Sequence, residues 1–277
     1  MMGWADLWRR RLSDLVERVP RLYRLILIAR HRNSPFLRRI VSPGHDLVIE
    51  GFPRSANSFA VSAFMFANGW RDPRIATHAH SPAQVHLAAR WGVPTILLIR
   101  RPEAAIIGWM AYASQRGPRA GQGMSPALKL AWVRAQTLRY ARFYERTTPL
   151  GQHFVLATFE EVTRDLGVVI ARLNAKFGCD FAPFRHTPQT QARVFAFGRR
   201  HLSPDPARDA LKAEFAALYH ARGNEAPRRR AEAAYRAALV NACPRAGAGA
   251  TTGQHGDARR RDLPAGGRQG IGPVERI

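Results

Sequence analysis

Leu47-Val-Ile-Glu-Gly-Phe-Pro-Arg-Ser-Ala-Asn-Ser-Phe59 carries three kinds of local pattern in one short run. Leu47 to Ile49 is apolar and branched, Gly51 and Pro53 punctuate the chain, and Ser58 to Ala67 resumes as an apolar pattern at helical spacing. The stretch therefore predicts a strand, a tight loop and a helix. Such a loop aims backbone N–H groups and the positive end of the helix at one point, which suits a phosphate or a sulfate.

The same unit recurs downstream. Val93 to Ile99 is an apolar run of buried-strand character, closed by Arg100-Arg101-Pro102, and Glu103 to Ser114 reads as the helix that follows. Phe154 to Thr158 predicts a third strand and Glu160 to Phe177 its helix. Between these units, Ser81-Pro82 opens a helix that Gly92 ends, and Ser125 to Glu145 is a long amphipathic helix. Gly69 to His80 reads as a polar connection, residues 115 to 125 as a Gly-rich one, and 182 to 205 as Pro- and Arg-containing loop. Helix returns over Pro206 to Arg222 and Arg228 to Val240. Strand alternating with helix predicts an α/β fold: a three-layer sandwich with a central, mostly parallel sheet and helices on both faces, P-loop-like in its first turn. Ligands of such sheets bind at the C-terminal ends of the strands, where both arginine-bearing turns fall.

Residues 1–45 form a basic N-terminal portion ahead of the α/β domain at 46–243. Trp4, Leu7, Trp8, Leu12, Leu15 and Val19 stand at helical spacing, and Leu22 to Ala29 follows Pro20 as a second apolar run among Arg21, Arg24 and Arg30. Two amphipathic helices follow from this, serving either as a cover on the domain or as a contact with an anionic membrane. Residues 244–277 are Gly, Ala, Arg and Pro with almost no large apolar residue, which predicts disorder.

The formal net charge is +23, and only three of the 43 basic residues are lysine. Arginine over lysine, with abundant alanine, is the bias of a GC-rich bacterial genome. The charge attracts anionic ligands, acidic glycans or an anionic bilayer. The tryptophans read as packing residues, so a nucleic-acid partner is the weaker expectation. Cys179 and Cys243 are too few and too separated for a disulfide framework or a metal site. With no spanning segment and no signal-peptide pattern, the expected location is cytoplasmic, at most membrane-peripheral.

Laid on the nucleotide-binding pattern G-x-x-x-x-G-K-[ST], the loop supplies Gly51 and then Ala56, Asn57 and Ser58. Asn57 stands where phosphoryl-transfer enzymes need lysine, whereas Arg54 supplies a cation three residues earlier. Pro53-Arg-Ser-Ala-Asn-Ser-Phe59 resembles the Pro-Lys/Arg-Ser-Gly-Thr-Thr/Ser-Trp signature of sulfotransferases that use 3′-phosphoadenosine 5′-phosphosulfate (PAPS). Arg100-Arg-Pro102 is similar to that family's Arg-x-Pro segment, and Thr77-His78 to its Lys-Thr-His segment, 22 residues ahead of the arginine. Phe159-Glu-Glu-Val162 is a weaker echo of a Tyr-Glu-Asp-Leu segment.

The resemblance covers about Leu47 to Phe177 and implies a PAPS-dependent sulfotransferase that yields 3′,5′-adenosine bisphosphate without a metal. It implies that Arg54, Ser55, Ala56, Asn57 and Ser58 hold the phosphosulfate, that Arg100 holds the 3′-phosphate, and that Phe59 and Phe159 lie near the adenine. Gly108 stands where the family usually adds a serine against the 3′-phosphate. His78 is the implied base, with His80 as its competitor, because a histidine accepts a proton from a hydroxyl or amine near neutral pH. The acceptor is a glycan, a lipid or a small hydroxyl compound. Ala56, Gly108 and the absence of a late Arg-Lys-Gly segment, to which Gly198-Arg199-Arg200 is nearest, define the alternative of a weak or inactive PAPS-binding relative.

Overall fold

Among the described residues, β1 (Leu47–Gly51), β2 (Ile75–Thr77), β3 (Thr95–Ile99) and β4 (Val155–Thr158) form one sheet in the order β2-β1-β3-β4, all parallel. The computed structural model describes residues 15–69, 74–115, 124–198 and 206–242. Those residues all fall within one compact unit, Met1–Cys243. The expected disorder of 244–277 and the first of the two N-terminal helices lie outside them.

β1 and β3 are buried along their whole length, which is why Leu47 to Ile49 and Ile96 to Ile99 read as apolar runs. Ile96 and Leu98 face a layer built by α2 (Asn57–Ala67), α6 (Phe159–Phe177) and α7 (Pro188–Gly198), with Phe59, Phe64, Val169 and Leu173 in its core. Leu97 and Ile99 face the opposite layer, where α4 (Pro102–Ser114), α5 (Pro126–Thr147), α8 (Pro206–His220) and α9 (Glu225–Ala242) meet around Ile106, Tyr140 and Phe215. On that side α3 (Pro82–Trp91) covers Val48 and Ala76 through Leu87 and Ala88. The arrangement is the three-layer α/β sandwich, with a wholly parallel sheet. α1 (Pro20–His31) packs on α3.

The helix starts follow local chemistry. Ser81 Oγ accepts the Ala83 N–H at 3.2 Å, Ser125 Oγ accepts the Leu128 N–H at 3.3 Å, and Thr158 forms a reciprocal box with Glu161. Each cap contributes about 1 kcal/mol. Two segments depart from the sequence reading. Ile75–Thr77, read as connection, is a strand because it pairs with Leu47, Val48 and Ile49; three residues are too few to show a period of their own. Pro188–Gly198, read as loop, is a helix that packs on α2, so tertiary contact outweighs its weak local pattern.

The strand order positions the site. From β1 the chain goes to β2 on one side, then crosses to β3 on the other, so the order reverses between β1 and β3. The crevice above their C-terminal ends is the switch point at which open α/β sheets bind ligands.

Candidate functional site

β1 and β3 approach so closely where they leave the sheet that a Cβ on Gly51 would stand 2.4 Å from the Leu98 carbonyl oxygen. Only glycine fits there. The loop that follows is braced from α5: the Tyr144 hydroxyl donates to the Leu98 carbonyl at 2.8 Å and accepts the Phe52 N–H at 3.2 Å. Tyr140 donates to the Arg100 carbonyl at 2.5 Å. Within the loop the Phe52 carbonyl accepts the Ser55 N–H and the Asn57 side-chain amide, at 3.3 and 3.1 Å. Asn57 therefore closes the turn. Arg54 and Ala56 hold φ of 69° and 70°, and Ala56 is the residue that caps α2. This left-handed conformation is why a glycine suits the position of Ala56.

Three arginines converge beside this loop. Arg100, at the end of β3, donates to the Arg54 carbonyl at 3.1 Å and lies 3.8 Å over the ring of Phe159, the first residue of α6. Arg54 lies over Tyr112 of α4, and Arg208 of α8 lies over the same ring while its Nε donates to Gln115 at 2.8 Å. Burial, then Arg208, then Arg100 push the Arg54 pKa down from its ordinary value. Burial does the same to Arg100, offset in part by Glu160. Gly108 of α4 faces this cluster, and a Cβ there would meet the Arg54 side chain at 3.7 to 3.9 Å. A Cβ at Gly108 would rest against Arg54 in ordinary van der Waals contact. An anion placed among these cations relieves their mutual repulsion, and the N-terminus of α2 adds its dipole.

On the other side of the loop stand the histidines, both with positive φ, 60° at His78 and 50° at His80. His78 Nε2 lies 3.1 Å from Ser58 Oγ, in the first turn of α2, and Nδ1 lies 3.0 Å from Thr77 Oγ1. The two imidazoles are 5.7 Å apart. His80 Nδ1 donates to the Gly51 carbonyl at 2.7 Å, and burial and the neighbouring His78 lower its pKa to about 3. So weak a base is poorly matched to taking a proton near neutral pH. Beneath both sits Glu50, fully buried, accepting the Ala79 N–H at 2.8 Å and the His80 N–H at 3.0 Å. Burial raises its pKa to about 7, against those hydrogen bonds.

The structure thus brings Arg54, Ala56, Arg100, Gly108 and Phe159 to one side of the loop, and Ser58 and His78 to the other. Ser55 is fully buried beneath it. Phe59 is only 4% exposed and packs against the rings of Phe184, His186 and Phe195, so its ring belongs to the helical layer. Arg101 is exposed beside Tyr235 of α9 and does not join the cluster. Two residues of the site escaped the sequence reading. Glu50 carried a signal, a lone carboxylate inside a buried-strand pattern. Arg208 carried none, as one arginine among many. Among the described residues no three His, Cys, Asp or Glu side chains gather as a metal site. No protein-family model, no curated protein and no solved structure matches this chain.

Proposed function

We propose that the chain is a sulfotransferase that uses PAPS to sulfate a hydroxyl or an amine of an acceptor, a glycan or a lipid before a small hydroxyl compound. The observation that carries the reading is the convergence of Arg54, Arg100 and Arg208 at the β1/β3 switch point, with His78 across the loop. The residues present fit the group: three cations, a helix N-terminus and the bare Gly108 face make a cradle for a doubly phosphorylated, sulfated nucleotide.

PAPS supplies the sulfuryl group: the acceptor oxygen or nitrogen bonds to sulfur as the sulfur–oxygen bond to the 5′-phosphate breaks, and the electron pair leaves with that phosphate. Arg54 offsets the charge spread over the sulfuryl oxygens in a loose transition state. Arg100 and Arg208 hold the remaining phosphate charge. His78 Nε2 takes the acceptor's proton once Ser58 yields its place, and Thr77 keeps the ring oriented through Nδ1. Glu50 positions the turn that carries both histidines.

The test is transfer of radiolabelled sulfate from PAPS to a panel of glycans, lipids and phenols, beside titration with 3′,5′-adenosine bisphosphate. Arg208→Ala should weaken nucleotide binding roughly tenfold or more, the worth of one charge-assisted contact, whereas Arg101→Ala should leave it unchanged. His78→Ala should keep the nucleotide and lose transfer. Transfer at the wild-type rate in that variant would remove His78 as base. The left-handed Ala56 favours a second reading, a nucleotide-binding relative without turnover; tight binding with no transfer to any acceptor would select it. Absence of binding would remove both.

A further inference from the structure

We infer that α1 and the turn before it form a docking face for an anionic lipid bilayer. Its inner side is committed to the domain. Tyr23 is buried and hydrogen-bonded to the Ser81 side chain, and Arg24 donates to the Val41 carbonyl at 2.9 Å with its guanidinium over Trp91. The outer side is apolar and uncovered: Leu22, Leu25 and Ile26 of α1 are 45%, 60% and 43% exposed, and Leu15 and Val19, in the turn before it, are 55% and 52% exposed. A lone exposed leucine needs no explanation, but a contiguous stripe on one helix face does.

Charge selects the occupant. Arg18, Arg21, Arg30, Arg32 and Arg38 are exposed around the stripe, and no acidic residue occurs from 18 to 45. A second copy of this chain would bring the same arginines against these. A nucleic acid would use the cations and leave the leucines in water. A bilayer with acidic headgroups uses both, because an amphipathic helix lying in the interface buries its apolar face while its arginines stay among the phosphates. The preceding sequence has the same character, with Trp4, Leu7, Trp8 and Leu12 among Arg9, Arg10 and Arg11. This docking does not depend on the chemistry proposed for the site.

The experiment is flotation of the full chain with vesicles of phosphatidylcholine alone or with about one-third phosphatidylserine, at low and at 0.5 M salt. Binding to the anionic vesicles should exceed that to neutral ones at least tenfold and persist in part at high salt. The charge-neutral triple change Leu22→Ser, Leu25→Ser, Ile26→Ser should lower it at least tenfold, with the circular dichroism and melting temperature of the parent. Arg18→Ser, Arg21→Ser, Arg30→Ser should lower it comparably with the stripe intact. Unchanged binding in the apolar variant would assign the attraction to the rest of the +23 charge and overturn the inference. So would a concentration-dependent dimer that the same variant abolishes, or salt-sensitive binding to DNA with none to vesicles.

Discussion

Ala56 sits at φ 70°, where a side chain costs about 1–2 kcal/mol and glycine nothing. Glycine would lose about 0.5–1 kcal/mol more conformational entropy on folding. Ala56→Gly should therefore stabilise the chain by up to about 1.5 kcal/mol, read by urea denaturation, and tighten nucleotide binding by removing a methyl group from the loop. Six positions upstream, Glu50 and its neighbour His80 pull stability in opposite directions. The raised Glu50 pKa means that the folded state binds more protons from about pH 4.5 to 7, so stability falls as pH rises through that window, by roughly 3 kcal/mol in all. The lowered His80 pKa means that the folded state binds fewer protons from about pH 3 to 6.5, so stability falls as pH drops through that window, by roughly 5 kcal/mol. Between pH 4.5 and 6.5 the two largely cancel. Glu50→Gln removes one side of the balance, so its stability should rise with pH across this interval while the parent's stays nearly flat, as thermal melts at a series of pH values will show.

At the level of elements, the loop depends on a helix far from it in sequence. Tyr144 of α5 satisfies the Phe52 N–H and the Leu98 carbonyl with one hydroxyl. Tyr144→Phe leaves a buried donor without a partner, at a cost of about 1–3 kcal/mol. It should also weaken binding of 3′,5′-adenosine bisphosphate measured by calorimetry, because the loop loses its brace where it leaves β1. No pattern in Ser125 to Glu145 marks Tyr144 for this role; a helical tyrosine reads as core until the sheet edge beneath it is known. The loop itself was legible, since Leu47 to Ile49, Gly51 and Pro53 each impose a local conformation. β2 was not, because Ile75–Thr77 becomes a strand only through its pairing with β1. Arg54 and Arg100 could be paired from sequence because each ends an apolar run. Arg208 could not, because only α8 packing on α4 brings it to them.

Over the whole molecule, a charge of +23 acts at two ranges. Long-range attraction of a nucleotide is screened within about 10 Å at 0.1 M salt and about 3 Å at 1 M, whereas contacts inside the half-buried arginine cluster are screened far less. Raising salt from about 0.05 to 0.5 M should slow association of 3′,5′-adenosine bisphosphate roughly tenfold and change dissociation much less, in stopped-flow traces. Among the described residues no helix is long and apolar enough to cross a membrane. The spread of the site along the chain also has a consequence for biosynthesis. Gly51 and the loop leave the ribosome early, Tyr140 and Tyr144 that brace them much later, and Arg208 later still. A nascent chain therefore carries the loop unbraced until Tyr140 and Tyr144 are made, and two of its three cations without the third until Arg208 is made. On the proposed reading the nucleotide meets all three cations only once α8 has emerged, so a fragment ending before Pro206 should gain less protection from it against proteolysis than the full chain.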